Sequence, residues 1–190
     1  MSYLRKTEYE MIPRESFLVI HNCSGCGGKS RFKNTKKFRV NANGSKLDVW
    51  LIYQCEKCRH TLNLAIYERQ KASLVPKNEY KGFLSNEEQL AEMYGKNMQL
   101  FRKNKAEIDF EALQYRFVKR LDTTEEHDGR PQTVITIHNP YGLKIRPEKQ
   151  IAEVLGLSRS RMKKQMEQGE IRLEKLSPYL VTACVNDLQE

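Results

Sequence analysis

Four cysteines carry the plainest chemistry in this chain. They form two C-x-x-C pairs, Cys23-Ser24-Gly25-Cys26 and Cys55-Glu56-Lys57-Cys58, separated by residues 27–54. Two residues between cysteines let both sulfurs of one tight turn face a single tetrahedral ion. Two such turns complete an all-thiolate shell, which suits one structural zinc ion. Gly25, Gly27 and Gly28 fit this expectation, since backbone that bends closely around thiolates uses φ values glycine tolerates. A pair of disulfides would need an oxidising compartment, and Met1 to Glu8 shows no signal-peptide apolar stretch. A redox C-x-x-C opens a helix in a βαβ unit and does not normally come in two copies. His21 and His60 flank the turns, but four thiolates already close a tetrahedral shell.

Two basic stretches could meet a polyanion. Lys29 to Arg39 holds Lys29, Arg31, Lys33, Lys36, Lys37 and Arg39 with no acid, and Phe32 and Phe38 between them. Such a mixture can stack bases and pair phosphates, or it can be a solvated loop with two core phenylalanines. In the last third, Arg159, Arg161, Lys163 and Lys164 follow Ser158 with no acid until Glu167. The formal charge of +9 fits a polyanion such as nucleic acid as partner, and equally an excess of Lys that serves solubility. At 190 residues, 39% hydrophobic and 30% charged, the chain can bury a core in one domain or two small ones. No apolar run approaches the roughly 18 residues of a membrane span, so the expected compartment is the cytoplasm. P-loop, G-x-G-x-x-G and H-E-x-x-H motifs are absent, His127 and His138 lack a paired nucleophile, and no small-molecule substrate is evident. The expectation is a protein that is not an enzyme. Cys184, within Leu180 to Val185, reads as a buried thiol acting as a small hydrophobe.

The elements that must position these groups follow from periodicity. Phe17 to His21 reads as a strand entering the first cysteine turn. Phe38 to Asn41 and Leu47 to Tyr53 read as strands joined at Asn43-Gly44, a type I′ hairpin signal with both residues at φ > 0. Thr61 to Tyr67 is a return strand, which completes a zinc ribbon. Residues 1–15 show no clean period, and 69–84 read as a connector. Ser85-Asn86-Glu87-Glu88 has capping-box form and predicts a helix with Leu90, Met93, Tyr94, Met98 and Phe101 on its buried side. Residues 106–121 fit helix or strand. Thr123 to Pro131 is expected to be an exposed loop and Thr133 to Ile137 a strand. A helix over Arg146 to Leu155 has Pro147 in its first turn. Ser158 can cap a second helix to Gln168, ended by Gly169, with Met162 and Met166 facing inward. Glu170 to Glu174 is a strand.

Two resemblances add to this. Phe38 to Gly44, Leu47 to Tyr53 and Cys55-x-x-Cys58 together resemble a bacterial zinc-ribbon family known only as a domain of unknown function. That resemblance implies a cytoplasmic bacterial protein and supplies no activity. Arg146, Glu148, Ile151, Leu155-Gly156-Leu157, Ser158-Arg159, Met162, Met166, Gly169 and Ile171 resemble the small RNA-binding module named after ribosomal protein S-four. In that family the Ser-Arg helix and its basic neighbours lie along an RNA backbone. Pro147, Gln165 and Glu174-Lys175 depart from its pattern. The same segment also resembles a DNA-binding helix-turn-helix of the excisionase type, through Ile151, Ala152, Leu155, Gly156, Leu157 and Met162. A purely structural helical hairpin is the third option.

The expected fold class is α+β in three successive segments: a zinc ribbon (1–82), a helical and β connector (83–140) and an S-four-like module (141–190). The expected function is binding of structured RNA, ribosomal or transfer RNA, through Arg146, Ser158, Arg159, Arg161, Lys163 and Lys164. The alternatives are a DNA-binding regulator and a zinc-stabilised adaptor for other proteins.

Overall fold

The alternation Leu47, Val49, Leu51, Tyr53, Cys55 buries every second side chain of one strand, each at most 1% exposed. This strand is the spine of a mixed, strand-rich α+β architecture. The computed structural model describes residues 2–186; Met1 and residues 187–190, the outer ends of the first and third expected segments, lie outside it. The strands are β1 (Ser2–Pro13), β2 (Val19–Cys23), β3 (Gly28–Asn43), β4 (Lys46–Cys55), β5 (Thr61–Lys71), β6 (Glu107–Ile108), β7 (Tyr115–His127), β8 (Gln132–His138), β9 (Ile171–Ser177) and β10 (Leu180–Asn186). The helices are α1 (Lys77–Ser85), α2 (Glu88–Gly95), α3 (Met98–Lys103), α4 (Pro147–Leu155) and α5 (Arg159–Glu167).

These elements form two units, residues 13–114 and residues 2–12 with 115–186, a division that differs from three successive segments. The reason lies in β1. It runs parallel to β8, with Leu4 opposite Gln132 and Glu10 opposite His138, so the N-terminal strand joins the C-terminal sheet, ordered β7-β1-β8-β10-β9. Its charged residues pair across the sheet: Arg5 with Asp122 (2.8 Å), Lys6 with Glu125 (2.9 Å), and Glu10 with Arg120 (2.5 Å). Arg5, then Lys119, hold the Asp122 carboxyl well below its usual range. The stretch 123–131, expected as a loop, is strand as far as His127, where Glu125 meets Lys6 of the neighbouring β1. On this sheet α4 and α5 bury Ile151, Ala152 and Met162, whereas Met166 is only half-buried. Cys184 is likewise half-buried, not enclosed as expected.

The other unit is a sheet ordered β5-β4-β3-β2-β6, antiparallel at β2–β3, β3–β4, β4–β5 and β2–β6. Helices α1 to α3 bury Phe83, Ala91, Leu100 and Phe101. The rings of Phe17 and Tyr53 meet Phe101 at 5.6 and 6.0 Å. Residues 106–121 resolve into β6, a turn and the start of β7. The hairpin turn sits one residue later than expected. Asn43 pairs with Lys46, leaving Gly44-Ser45 as the loop, and Gly44 at φ +58° alone has positive φ there, as in type II′ turns.

The capping box is not used. Ser85 ends α1, its Oγ donating to the Gly82 carbonyl (3.3 Å), and Asn86 takes the left-handed C-cap at φ 53°. One long helix is replaced by α2 and α3; beside the break the Gly95 carbonyl accepts from Phe17 N (2.8 Å), and a Cβ at Gly95 would approach Ser16 Oγ to 2.3 Å. Asn97 then caps α3, accepting from Gln99 N (2.9 Å) and Leu100 N (3.3 Å). Met93, expected inside, is 54% exposed.

Tyr53 is fully buried, and its hydroxyl donates to the Phe17 carbonyl at 3.0 Å; burial pushes its pKa far up. Tyr53→Phe should strand that carbonyl and cost about 1–2 kcal/mol, read as a lower urea midpoint at unchanged slope.

Candidate metal centre and basic helix

Both cysteine pairs sit where one antiparallel strand turns into the next. β2 delivers Cys23 and β3 leaves from Gly28; β4 delivers Cys55 and β5 leaves from Thr61. The two turns share one backbone design. Gly27 N donates to Cys23 O (2.9 Å), and Arg59 N donates to Cys55 O (3.0 Å). The residue after the second cysteine is left-handed in both, Gly27 at φ +70° and Arg59 at φ 64°. Arg59 thus stands where glycine is the easy residue, a repeat the bare spacing does not reveal. Glu56 N donates to Arg31 O (3.0 Å), which holds the second turn beside the strand leaving the first.

The four sulfurs all lie within 4.8 Å of one another, with Cys23 to Cys58 at 3.3 Å and Cys26 to Cys55 at 3.8 Å. A tetrahedron of sulfurs about 2.3 Å from an ion has edges of about 3.8 Å, whereas a disulfide needs about 2.05 Å. The spacing therefore fits four ligands of one metal ion. Cys23 and Cys55 are buried; Cys26 and Cys58 are exposed. Of the three glycines expected to bend around sulfur, only Gly27 has positive φ. Gly25 is needed for space, since a Cβ there would lie 2.8 Å from Cys58 Sγ, while Gly28 is under neither constraint.

Neither histidine enters the cluster. His60 Nε2 meets Ser24 Oγ at 2.9 Å and links the two turns, and His21 Nδ1 donates to the Asn22 carbonyl at 2.9 Å. The thiols constrain one another electrically. Amides of Cys58 and then Lys57 draw the Cys55 thiol down to about 6. At Cys58 the His60 amide pulls downward, but Cys23, Cys26, burial and Cys55 together push it up to about 12. Sulfurs this crowded shed their last protons readily only when a cation lies between them.

The basic groups are distributed more selectively than their sequence suggests. Ser158 serves α5 as its N-cap, accepting from Arg161 N at 3.2 Å. Arg146, Arg159 and Lys163 line one open depression of about 960 Å³ between α4 and α5, together with the acids Glu148, Glu153 and Glu167. Arg161 and Lys164 line a different depression with Ser160 and Gln165. Arg146, Arg159, Arg161 and Lys164 make no ion pair among the described residues, while Lys163 meets Glu167 at 3.7 Å.

In the other stretch, Phe32 is 1% exposed and Phe38 packs on Phe83 at 4.9 Å, so neither ring is free to stack on a base. Three of its six cations are paired there: Lys29 with Glu107 (3.2 Å), Arg31 with Asp109 (2.6 Å), and Lys36 with Glu88 and Glu92.

Elemental analysis should find one metal ion per chain, and Cys58→Ser should lower that occupancy. Gly25→Ala should weaken metal retention about ten- to hundred-fold against a chelator, as changes just outside a ligand shell do. Gly28→Ala should leave it unchanged. Because binding must displace protons from crowded thiols, retention should fall as pH falls. Arg59→Gly should raise stability by about 1 kcal/mol by relieving the left-handed backbone.

A family described as "Protein of unknown function (DUF1062)" matches residues 40–176, a span that takes in Cys55, Cys58, α4 and α5. No curated protein and no solved structure matches the chain. No described helix is long and apolar enough to cross a membrane. With well over half its length inside the match, the chain belongs to the DUF1062 family of proteins of unknown function.

Proposed function

We propose that this chain is a non-catalytic, cytoplasmic RNA-binding protein whose ribbon of β2 to β5 is clamped by one zinc ion. Zinc suits a closed shell of four thiolates, and a reducing compartment keeps such close thiols from oxidising. The observation that carries RNA binding is the convergence of Arg146, Arg159 and Lys163 on one depression, from the start of α4 and one face of α5. Guanidinium and ammonium groups held on short, capped helices can follow phosphates without first ordering a loop. Structured RNA is favoured over duplex DNA by the resemblance of this helix pair and its following strand, β9, to the S-four-like module.

Each phosphate contact releases counterions, so affinity must fall with salt. Arg159→Ala with Lys163→Ala removes neighbours one helical turn apart and should flatten the log–log salt slope by about 1.5. Stability should barely change, because Met162 at 2% exposure holds α5 and the Lys163 ion pair is exposed. Hairpin RNA and duplex DNA are titrated side by side. Preference for one DNA sequence would replace this reading with a helix-turn-helix regulator. Absence of salt-dependent binding to either polymer would leave a zinc-stabilised adaptor for other proteins.

A further inference from the structure

The face of β3, β4 and β5 that carries Trp50 holds an aromatic group among exposed cations. Registers define it. Trp50 lies opposite Arg39 on β3 and Ala65 on β5; Ile52 lies opposite Lys37 and Asn63; Gln54 lies opposite Lys33 and Thr61. Cross-strand partners share a face, and this one alternates with the buried Leu51 and Tyr53. A bulge between Asn34 and Lys37, with Lys36 at φ 58°, sends Lys36 to Glu88 and Glu92 and returns Lys37 to the Trp50 face. Lys33, Lys37 and Arg39 are exposed and make no ion pair among the described residues. The acid on this face, Asp48, is engaged by the Arg69 backbone N–H at 2.7 Å. Half-buried Trp50 forms, with Arg39, Val40, Asn41 and Asn63, a shallow pocket of about 300 Å³.

We propose that this face is a binding surface for single-stranded nucleic acid, in which Trp50 stacks on a base and Lys33, Lys37 and Arg39 track the phosphates. The chemistry fits each part of such a strand. An indole accepts any unstacked base, whereas bases inside a duplex are already stacked on their neighbours. The cations run along β3, so they follow a backbone direction and do not converge on one point. Asn41 and Asn63, whose side chains make no hydrogen bond among the described residues, flank the indole with donors and acceptors suited to a base edge. An acidic peptide would satisfy the cations but leave the indole and both carboxamides unused. This surface stands apart from the α5 reading, since its residues lie in the other unit and do not share the α5 depressions.

Trp50 is the only tryptophan in the chain, so its emission reports on this face alone. The full-length, metal-loaded protein is titrated with oligouridylate of about 12 nucleotides, then with oligodeoxythymidylate of the same length. Saturable quenching is expected, and the Arg159→Ala, Lys163→Ala protein should quench equally. In that background, anisotropy of a labelled oligouridylate should show Trp50→Leu binding roughly tenfold more weakly, with Trp50→Phe close to the parent. Lys37→Ala with Arg39→Ala should reduce the salt slope by about 1.4. Quenching by oligouridylate alone assigns RNA, and quenching by both assigns either polymer, each supporting the surface. Three results would overturn it: no quenching, equal quenching by poly-glutamate of matched charge, or undiminished binding by Trp50→Leu.

Discussion

Four thiols held within 4.8 Å of one another are the constraint on which the unit of residues 13–114 depends. Two of them, Cys23 and Cys55, are buried at the ends of β2 and β4, so the cluster is continuous with the hydrophobic core. The same strands carry Val19, Leu51 and Tyr53 inward, and Tyr53 reaches the backbone of Phe17. A cation among the sulfurs would therefore fix the pairing of β2 with β3 and of β4 with β5 at one end of the sheet. Without one, the crowding that raises Cys58 keeps it a neutral thiol. Gly25 and the left-handed Arg59 show the backbone yielding to the sulfurs, one by leaving space and one by adopting an unfavourable conformation.

The second unit is organised differently. Its N-terminal strand is enclosed between β7 and β8, and the polar residues that make β1 look structureless are its cross-strand contacts. Exposed pairs of this kind contribute little energy each. They mark which strand lies beside which, because β7 offers the opposite charge at each of these contacts. The buried residues Met11, Ile135, Ile137, Val181 and Ala183 supply the hydrophobic term beneath them.

The net charge of +9 is not spread evenly over function. Lys29, Arg31 and Lys36 are bound to Glu107, Asp109, Glu88 and Glu92 and hold β3 to its neighbours. Lys33, Lys37 and Arg39 remain, together with Arg146, Arg159 and Arg161, which make no ion pair among the described residues. Charge counted along the chain overstates what is available to a partner, since half of one basic stretch is used internally.

Local chemistry was legible in the sequence wherever it acts over a few residues. The C-x-x-C spacing identified the thiols that cluster, strict alternation marked β4, and Pro147, Gly156, Ser158 and Gly169 stand at the ends of α4 and α5. These signals survive because turn geometry and helix ends are decided by neighbouring atoms. Tertiary structure decided the rest. Ser85 and Glu88 have the form of a capping box, yet Asn86 turns left-handed and accepts from Phe38 N at 2.7 Å, a strand partner no window contains. Where the expected long helix divides, Gly95 leaves no room for a side chain beside Ser16 and Asn34, and its carbonyl accepts from Phe17 N, all from remote segments. β1 could not be read alone, since its meaning lies in residues more than a hundred positions away. Phe32 and Phe38 face the core while Trp50 faces outward, for the bulge at Lys36 and the pairing of β3 with β4 set which side each residue takes. Side-chain spacing is a local property; which face meets water is set by the partner strand.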